Sequence, residues 1–290
     1  MSTIEEMHVG SISKTSPYQA APDDRRRAER VAATRWRRLQ LRNLAIRLVS
    51  LALVLLLWQV AARNVNPALF TTPSKVVAAA AEMISDGELW AALRPSLIVL
   101  AIGLALAIVF GIATGLLLAR FPILDVAATV YITFLYSIPS VALVPLIVLW
   151  AGYGTTAKVI ILFLFAFFPM VINTQQGVKS VDPKLLEVGR AFRCSEGQLW
   201  LNVVIPASLP FIVTGVRLAV GRGMIAMVLA DLYTAISGIG YLILRTASTF
   251  EMNKMLVPIM TLGLLGVTLT ACVRFAEVRL APWRKAESQD

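Results

Sequence analysis

Deep in the apolar run TGVRLAVGRGMIAMVLADLYT, beyond Arg217 near its start, stand two charged side chains, Arg222 and Asp231. A charge in hydrocarbon costs several kcal/mol, so each must face a cavity, an oppositely charged group or a ligand. Nine residues separate them, two and a half helical turns, which places them on nearly opposite faces and argues against a direct pair. A second feature is charged instead. Residues 182–206, DPKLLEVGRAFRCSEGQLWLNVVIP, carry Asp182, Lys184, Glu187, Arg190, Arg193 and Glu196 at helical spacing between two apolar runs. Other chemistries fail by inventory. The single histidine, His8, lies in a polar tail, and Cys194 and Cys272 neighbour no second Cys or His. No metal set, disulfide framework or catalytic constellation is therefore expected. No GxxxxGK[ST] phosphate loop occurs, and no Gly-Lys dipeptide at all, so no nucleotide-hydrolysing motif of that kind is expected on this chain.

The elements that hold these residues are membrane helices. Of 290 residues 58% are hydrophobic and only 15% charged, against roughly a quarter charged in soluble domains. The expected fold is an all-α polytopic bundle of about six spans, near 44–62, 96–119, 124–150, 157–178, 208–234 and 255–276. Pro139 and Pro145 predict a kink in the third. Gly111 and Gly115 in the second form a small-xxx-small pattern for close helix packing. The intervening LFTTPSKVVAAAAEMISDGELWAALRPS has helical spacing and is expected along the membrane surface. Residues 1–43 read as a basic arm meeting an anionic leaflet, 44–282 as the membrane domain with a loop at about 180–206, and 283–290 as a tail.

Charge distribution sets the orientation. With both termini cytoplasmic, inside segments hold 18 of the 27 basic residues and outside segments 6. That threefold bias places 182–206 in the cytoplasm. The net charge of +10 follows this topological pattern, so it does not point to nucleic acid.

Within the loop, Asp182 before Pro183 is a helix start, an N-cap oxygen with proline at the first helical position. Ser195 and Gln198 have capping-box spacing, with Cys194 and Leu199 placed as its staple. Two short helices joined by a turn at 193–195 follow, the second ending before Pro206. Such an element is either a linker on the bilayer surface or a rigid piece that docks in a groove of a cytoplasmic partner.

The segment resembles the EAA loop of binding-protein-dependent ABC importer permeases. Glu187-Val188-Gly189 stands for the Glu-Ala-Ala triplet, and Val203-Val204-Ile205-Pro206 for the second part at the family's distance. Val188 and Gly189 replace alanines, and Arg193 replaces the motif's glycine. That substitution predicts a turn less permissive of positive φ, or a bend moved to Cys194-Ser195. LYSIPSVALVPLIVLWAGYGTTAKVIILFLFAFFPMVINTQQGVKSVDPKLLEVGRAF and TGVRLAVGRGMIAMVLADLYTAISGIGYLI look like permeases for nitrate, sulfonates, taurine and related solutes. The similarity covers roughly 65–282. It implies a bacterial inner-membrane importer of two permease copies, favoured as a homodimer in lipid, two ATPase subunits that bind ATP and Mg, and an external solute-binding protein. It further implies that Glu187, Val188, Gly189, Arg190, Ala191, Phe192, Arg193 and Cys194 contact the ATPase.

Tyr136, Ser137, Arg222, Met224 and Asp231 are the candidates for the pathway. Two copies of Arg222 lining one passage would favour an anionic solute; the alternative is a pair with an acid or carbonyl on a neighbouring helix. Ser140, Asn173, Gln175 and Gln176 are expected to hydrogen-bond within the bundle. A secondary transporter or channel subunit is the rival class. The former predicts inverted repeats and several intramembrane acids, and Asp231 is the only carboxylate well inside an expected span.

Overall fold

The structure, a computed structural model, describes the backbone of residues 22–63, 65–66 and 70–280, and side chains from Leu39 onward apart from Val278 and Leu280. The expected tail at 283–290 and the first half of the basic arm lie outside the described residues. Two compact units divide the chain near Ala61. The first is the helix α1 (Pro22–Arg63), continuous through the expected arm boundary at residue 43. Its stretch from Leu39 to Arg63 is apolar enough to cross a membrane, and none of its apolar window is buried.

The second unit contains α2 (Pro73–Ser85), α3 (Glu88–Arg120), α4 (Pro122–Ser137), α5 (Ser140–Ala151) and α6 (Thr155–Lys179). It continues with α7 (Pro183–Ala191), α8 (Glu196–Leu199), a π-helical turn (Trp200–Val204), α9 (Ile205–Thr234), α10 (Ile239–Ser248) and α11 (Met252–Leu280). Among the described residues there is no strand. Among the described residues five helices are long and apolar enough to span, or six if the bent pair α4–α5 is counted as one span.

The core forms where α6 lies between α3 and α9. Val99 and Leu100 of α3, Ile161, Leu162 and Phe165 of α6, and Ala226, Met227 and Ala230 of α9 pack together with Val144, Ile147 and Val148 of α5. In lipid, apolar burial gives little drive between helices, so close van der Waals contact must supply it. The glycine pair supplies that closeness. A Cβ on Gly115 would stand 2.6 Å from Thr174 Cβ and 2.8 Å from the Val171 carbonyl oxygen, and one on Gly111 would overlap Met170.

Three local expectations are revised. The third span is broken outright, its halves α4 and α5 meeting at 94°. Pro139 disfavours helical geometry in the residue before it, and Ile138 is extended at φ −67°, ψ 129°. Pro145 sits inside α5 without ending it. The segment before the second span divides: α2 packs Val76, Ala79 and Met83 inward, while residues from Glu88 onward already belong to α3. Finally, the second loop helix does not stop before Pro206. It passes through the π turn, where the Ile205 N–H reaches back to the Trp200 carbonyl, into one helical run from Glu196 to Thr234. The wider turn shifts the hydrogen-bond register just where proline withdraws a donor.

Candidate functional site

The loop at the α7 end is built as its local sequence dictates. The Asp182 carboxylate accepts the Lys184 N–H at 2.9 Å, with Pro183 opening α7. Ser195 and Gln198 form the reciprocal box: the Ser195 N–H donates to Gln198 Oε1 at 2.8 Å, and the Gln198 N–H donates to Ser195 Oγ at 3.3 Å. Between them α7 ends in a Schellman turn. The Cys194 N–H donates to the Gly189 carbonyl at 3.1 Å, and the Arg193 N–H to the Arg190 carbonyl at 2.8 Å. That motif needs a left-handed residue at its centre, normally glycine. Arg193 fills the position at φ 56°. The bend therefore stays at Arg193 and does not move to Cys194-Ser195, because both caps fix the chain on either side.

Leu199 is the internal contact of the loop. It is buried, and it lies so close to Gly189 that a Cβ there would overlap its side chain. Beside that contact the flank of α7 is open: Leu185, Val188 and Phe192 are exposed, Phe192 at 80%. Glu187, Arg190, Ala191 and Arg193 are exposed as well, and Cys194 is half-buried. A charged helix with an apolar ridge that no described residue covers suits a protein groove.

Ion pairs fasten the loop's base to the bundle. Arg120, closing α3, contacts Glu196 at 3.1 Å, and its guanidinium lies 5.4 Å from the centre of the Trp200 ring. Lys179, closing α6, meets Asp125 of α4 at 2.7 Å. Gln175 also donates to Asp125, the bundle role expected of it. These exposed pairs individually contribute little, about 0–1 kcal/mol. Their geometric effect is to bind the loop to the end of α3 and the end of α6, where the loop begins, to α4.

Of the pathway candidates, the structure brings Tyr136 and Arg222 together. Arg222 Nη2 donates to the Tyr136 hydroxyl at 2.8 Å, and its guanidinium carbon stands 4.7 Å from the ring centre. The expected acid or carbonyl partner is thus replaced by a phenol. Ser137, next in sequence, is exposed and donates to its own helix at the Thr133 carbonyl. Met224 lies elsewhere, against Gly266 of α11. Arg217 pairs with Glu277 of α11.

Asp231 is not open to a passage; it is 1% exposed and fully engaged. Lys158 Nζ lies 2.7 Å from its Oδ1, and Ser96 Oγ donates to Oδ2 at 2.5 Å. The Gly240 N–H donates to Oδ2 at 3.3 Å. Lys158 also donates to the Ser237 carbonyl at 2.6 Å, and Ser96 accepts the Ile239 N–H at 2.8 Å. The network ties α3, α6 and α9 to the turn before α10. Gly238, at φ 106°, presses against the carboxylate where a Cβ would collide with it. Sequence reasoning placed Lys158 in an outside segment and overlooked Ser96. The available signal was Asp231 itself, a buried acid in need of a cation, beside a lysine opening the apolar run KVIILFLFAFF.

A helical bundle with one broken span, a buried ion-pair network and a capped projecting loop defines a polytopic membrane protein of transport. The sequence model of the binding-protein-dependent transport system inner membrane component family matches residues 107–285. The chain belongs to that family and is a permease component of an ABC importer, a translocation subunit without catalysis of its own. It is 32% identical over 237 residues to the putative aliphatic sulfonates transport permease protein of Bacillus subtilis, covering 81% of this chain and 86% of that one. It is 27% identical over 256 residues to the taurine transport system permease protein of Escherichia coli, covering 86% and 93%. An amino acid ABC transporter crystal structure shares the fold at a TM-score of 0.50 and 16% identity, covering 71% of this chain and 97% of that one.

Proposed function

We infer that this chain forms, with a second copy of itself, the pathway by which a small anionic solute enters a bacterial cell. A separate solute-binding protein delivers the solute, and a separate ATPase pair, binding ATP and Mg, drives the cycle. Both termini and the 182–206 loop face the cytoplasm, as the threefold basic bias supports. The observation that carries the reading is the loop: two capped helices packed through Leu199, with Glu187 and an apolar ridge left uncovered. A segment that must transmit movement cannot melt when pushed, and these caps resist melting. Closure of the ATPases draws the two loops together, and the bundles switch between discrete inward- and outward-open packings. Kinship with permeases named for sulfonates and taurine supports an anion, as does a positive charge deep within α9.

The test is Glu187→Lys. Reversed charge on the exposed ridge should reduce ATP-driven uptake and ATPase stimulation while insertion into the membrane stays normal. Normal uptake with normal stimulation would overturn the docking role.

A further inference from the structure

We propose that Arg222 and Tyr136 form an oxyanion-binding site at the hinge of the broken span, in which the phenol occupies the place of a sulfonate or carboxylate head group. Three observations meet there. Arg222 is the eighteenth residue of the 30-residue α9, about 26 Å from one end and about 18 Å from the other at 1.5 Å per residue. Two other cations within the spans of this unit, Lys158 and Arg217, are each held by a carboxylate. Among the described residues Arg222 is held only by a neutral hydroxyl and a ring face. Its charge remains uncompensated, and one N–H of five is used. A guanidinium with free parallel N–H groups matches two coplanar oxygens of an oxyanion, which supplies the missing charge and a second hydrogen bond.

The position of Tyr136 gives such binding a consequence. It is the penultimate residue of α4, two before extended Ile138 and the 94° break. Its ring also rests 6.4 Å from that of Phe168 on α6. An anion that takes the guanidinium releases the hydroxyl from α9 and frees α4 at its hinge. Tyr136 is thus a competitor for the arginine as well as its positioning residue.

The inference rests on the anionic-solute reading above, but its test needs neither ATPase nor binding protein. Failure here leaves the docking loop standing, and a normal Glu187→Lys transporter leaves this site standing. The full chain in neutral phosphatidylcholine nanodiscs is titrated with ethanesulfonate and with propionate by ligand-observed NMR, with tetramethylammonium as the control cation. Saturable binding of either anion is expected, and whichever binds more tightly names the head group. Arg222→Gln should weaken it at least about tenfold, the loss of one charged hydrogen bond, while Arg222→Lys retains part of it. Tyr136→Phe keeps the ring and removes the competing hydroxyl, so it should tighten anion binding about three- to tenfold. A merely structural pair gives the opposite sign. No saturable anion binding, equal binding of tetramethylammonium, or unchanged or weaker binding in Tyr136→Phe overturns the proposal.

Discussion

Removal of Asp231 should show how much of the fold depends on one buried charge pair. Its carboxylate accepts from Lys158, Ser96 and the Gly240 N–H, and the two charged side chains are only 4% and 1% exposed. Asp231→Leu leaves the Lys158 ammonium without its counter-charge, held only by Ser237. Breaking one side of such a pair costs about 3–5 kcal/mol, because the remaining charge stays buried. At about 2–4 °C per kcal/mol for a domain of this size, the melting temperature of the purified chain should fall by roughly 10 °C. The double variant Lys158→Met, Asp231→Leu removes both charges and should recover at least about 2 kcal/mol of the summed single losses. The exchanged pair, Lys158→Asp with Asp231→Lys, should not recover. Gly238 and Gly240 wall the carboxylate so closely that a longer side chain at 231 has no room. Melting curves of the four variants by fluorescence-detected size exclusion decide the matter. Strictly additive losses, or rescue by the exchanged pair, would refute the coupling.

At the loop, Arg193→Gly relieves a left-handed side chain that costs about 1–2 kcal/mol, partly offset by about 0.5–1 kcal/mol of added backbone freedom when unfolded. The loop should resist limited proteolysis better and uptake should be retained; faster cleavage would contradict the Schellman assignment. In the bundle, Gly115→Val places methyl groups against the Thr174 side chain and the Val171 carbonyl, where backbone cannot yield cheaply. Overpacking of about 1–3 kcal/mol should lower the melting temperature, and an unchanged curve would deny the α3–α6 seam.

The features legible in the sequence were those fixed within one turn or one helix face. Asp182-Pro183 and Ser195-x-x-Gln198 announced both caps because each is completed by residues two or three positions away. Gly111 and Gly115 announced a close seam because their spacing alone puts them on one face. What escaped depends on distant or competing geometry. Lys158 and Asp231 are 73 residues apart, and only the packed α6–α9 pair brings them together. Pro206 looked like a helix stop, yet the π turn before it reorganises the hydrogen bonds and lets the helix continue. Arg193 was expected to avoid positive φ, but two caps and the Schellman bonds outweigh the preference of one side chain.

These elements converge on a single rod. The run from Glu196 to Thr234 has 39 residues, about 58 Å at 1.5 Å per residue. It carries the loop's capping box at one end, Arg222 about two thirds of the way along and Asp231 near the other end. Its far end is clamped by Lys158 and Ser96, and its near end by Arg120 through Glu196 and Trp200. A push on the loop therefore meets no soft linker before it reaches Arg222, and the π turn at 200–204 is the sole irregular stretch along the rod. The compliant element lies beside the rod instead, at the break between α4 and α5. Tyr136 joins the two, so the contact that holds the half-buried guanidinium is also a contact between the long α9 run and the bent span. On the function proposed here, work delivered at the loop and an anion arriving at Arg222 would act on the same hydrogen bond.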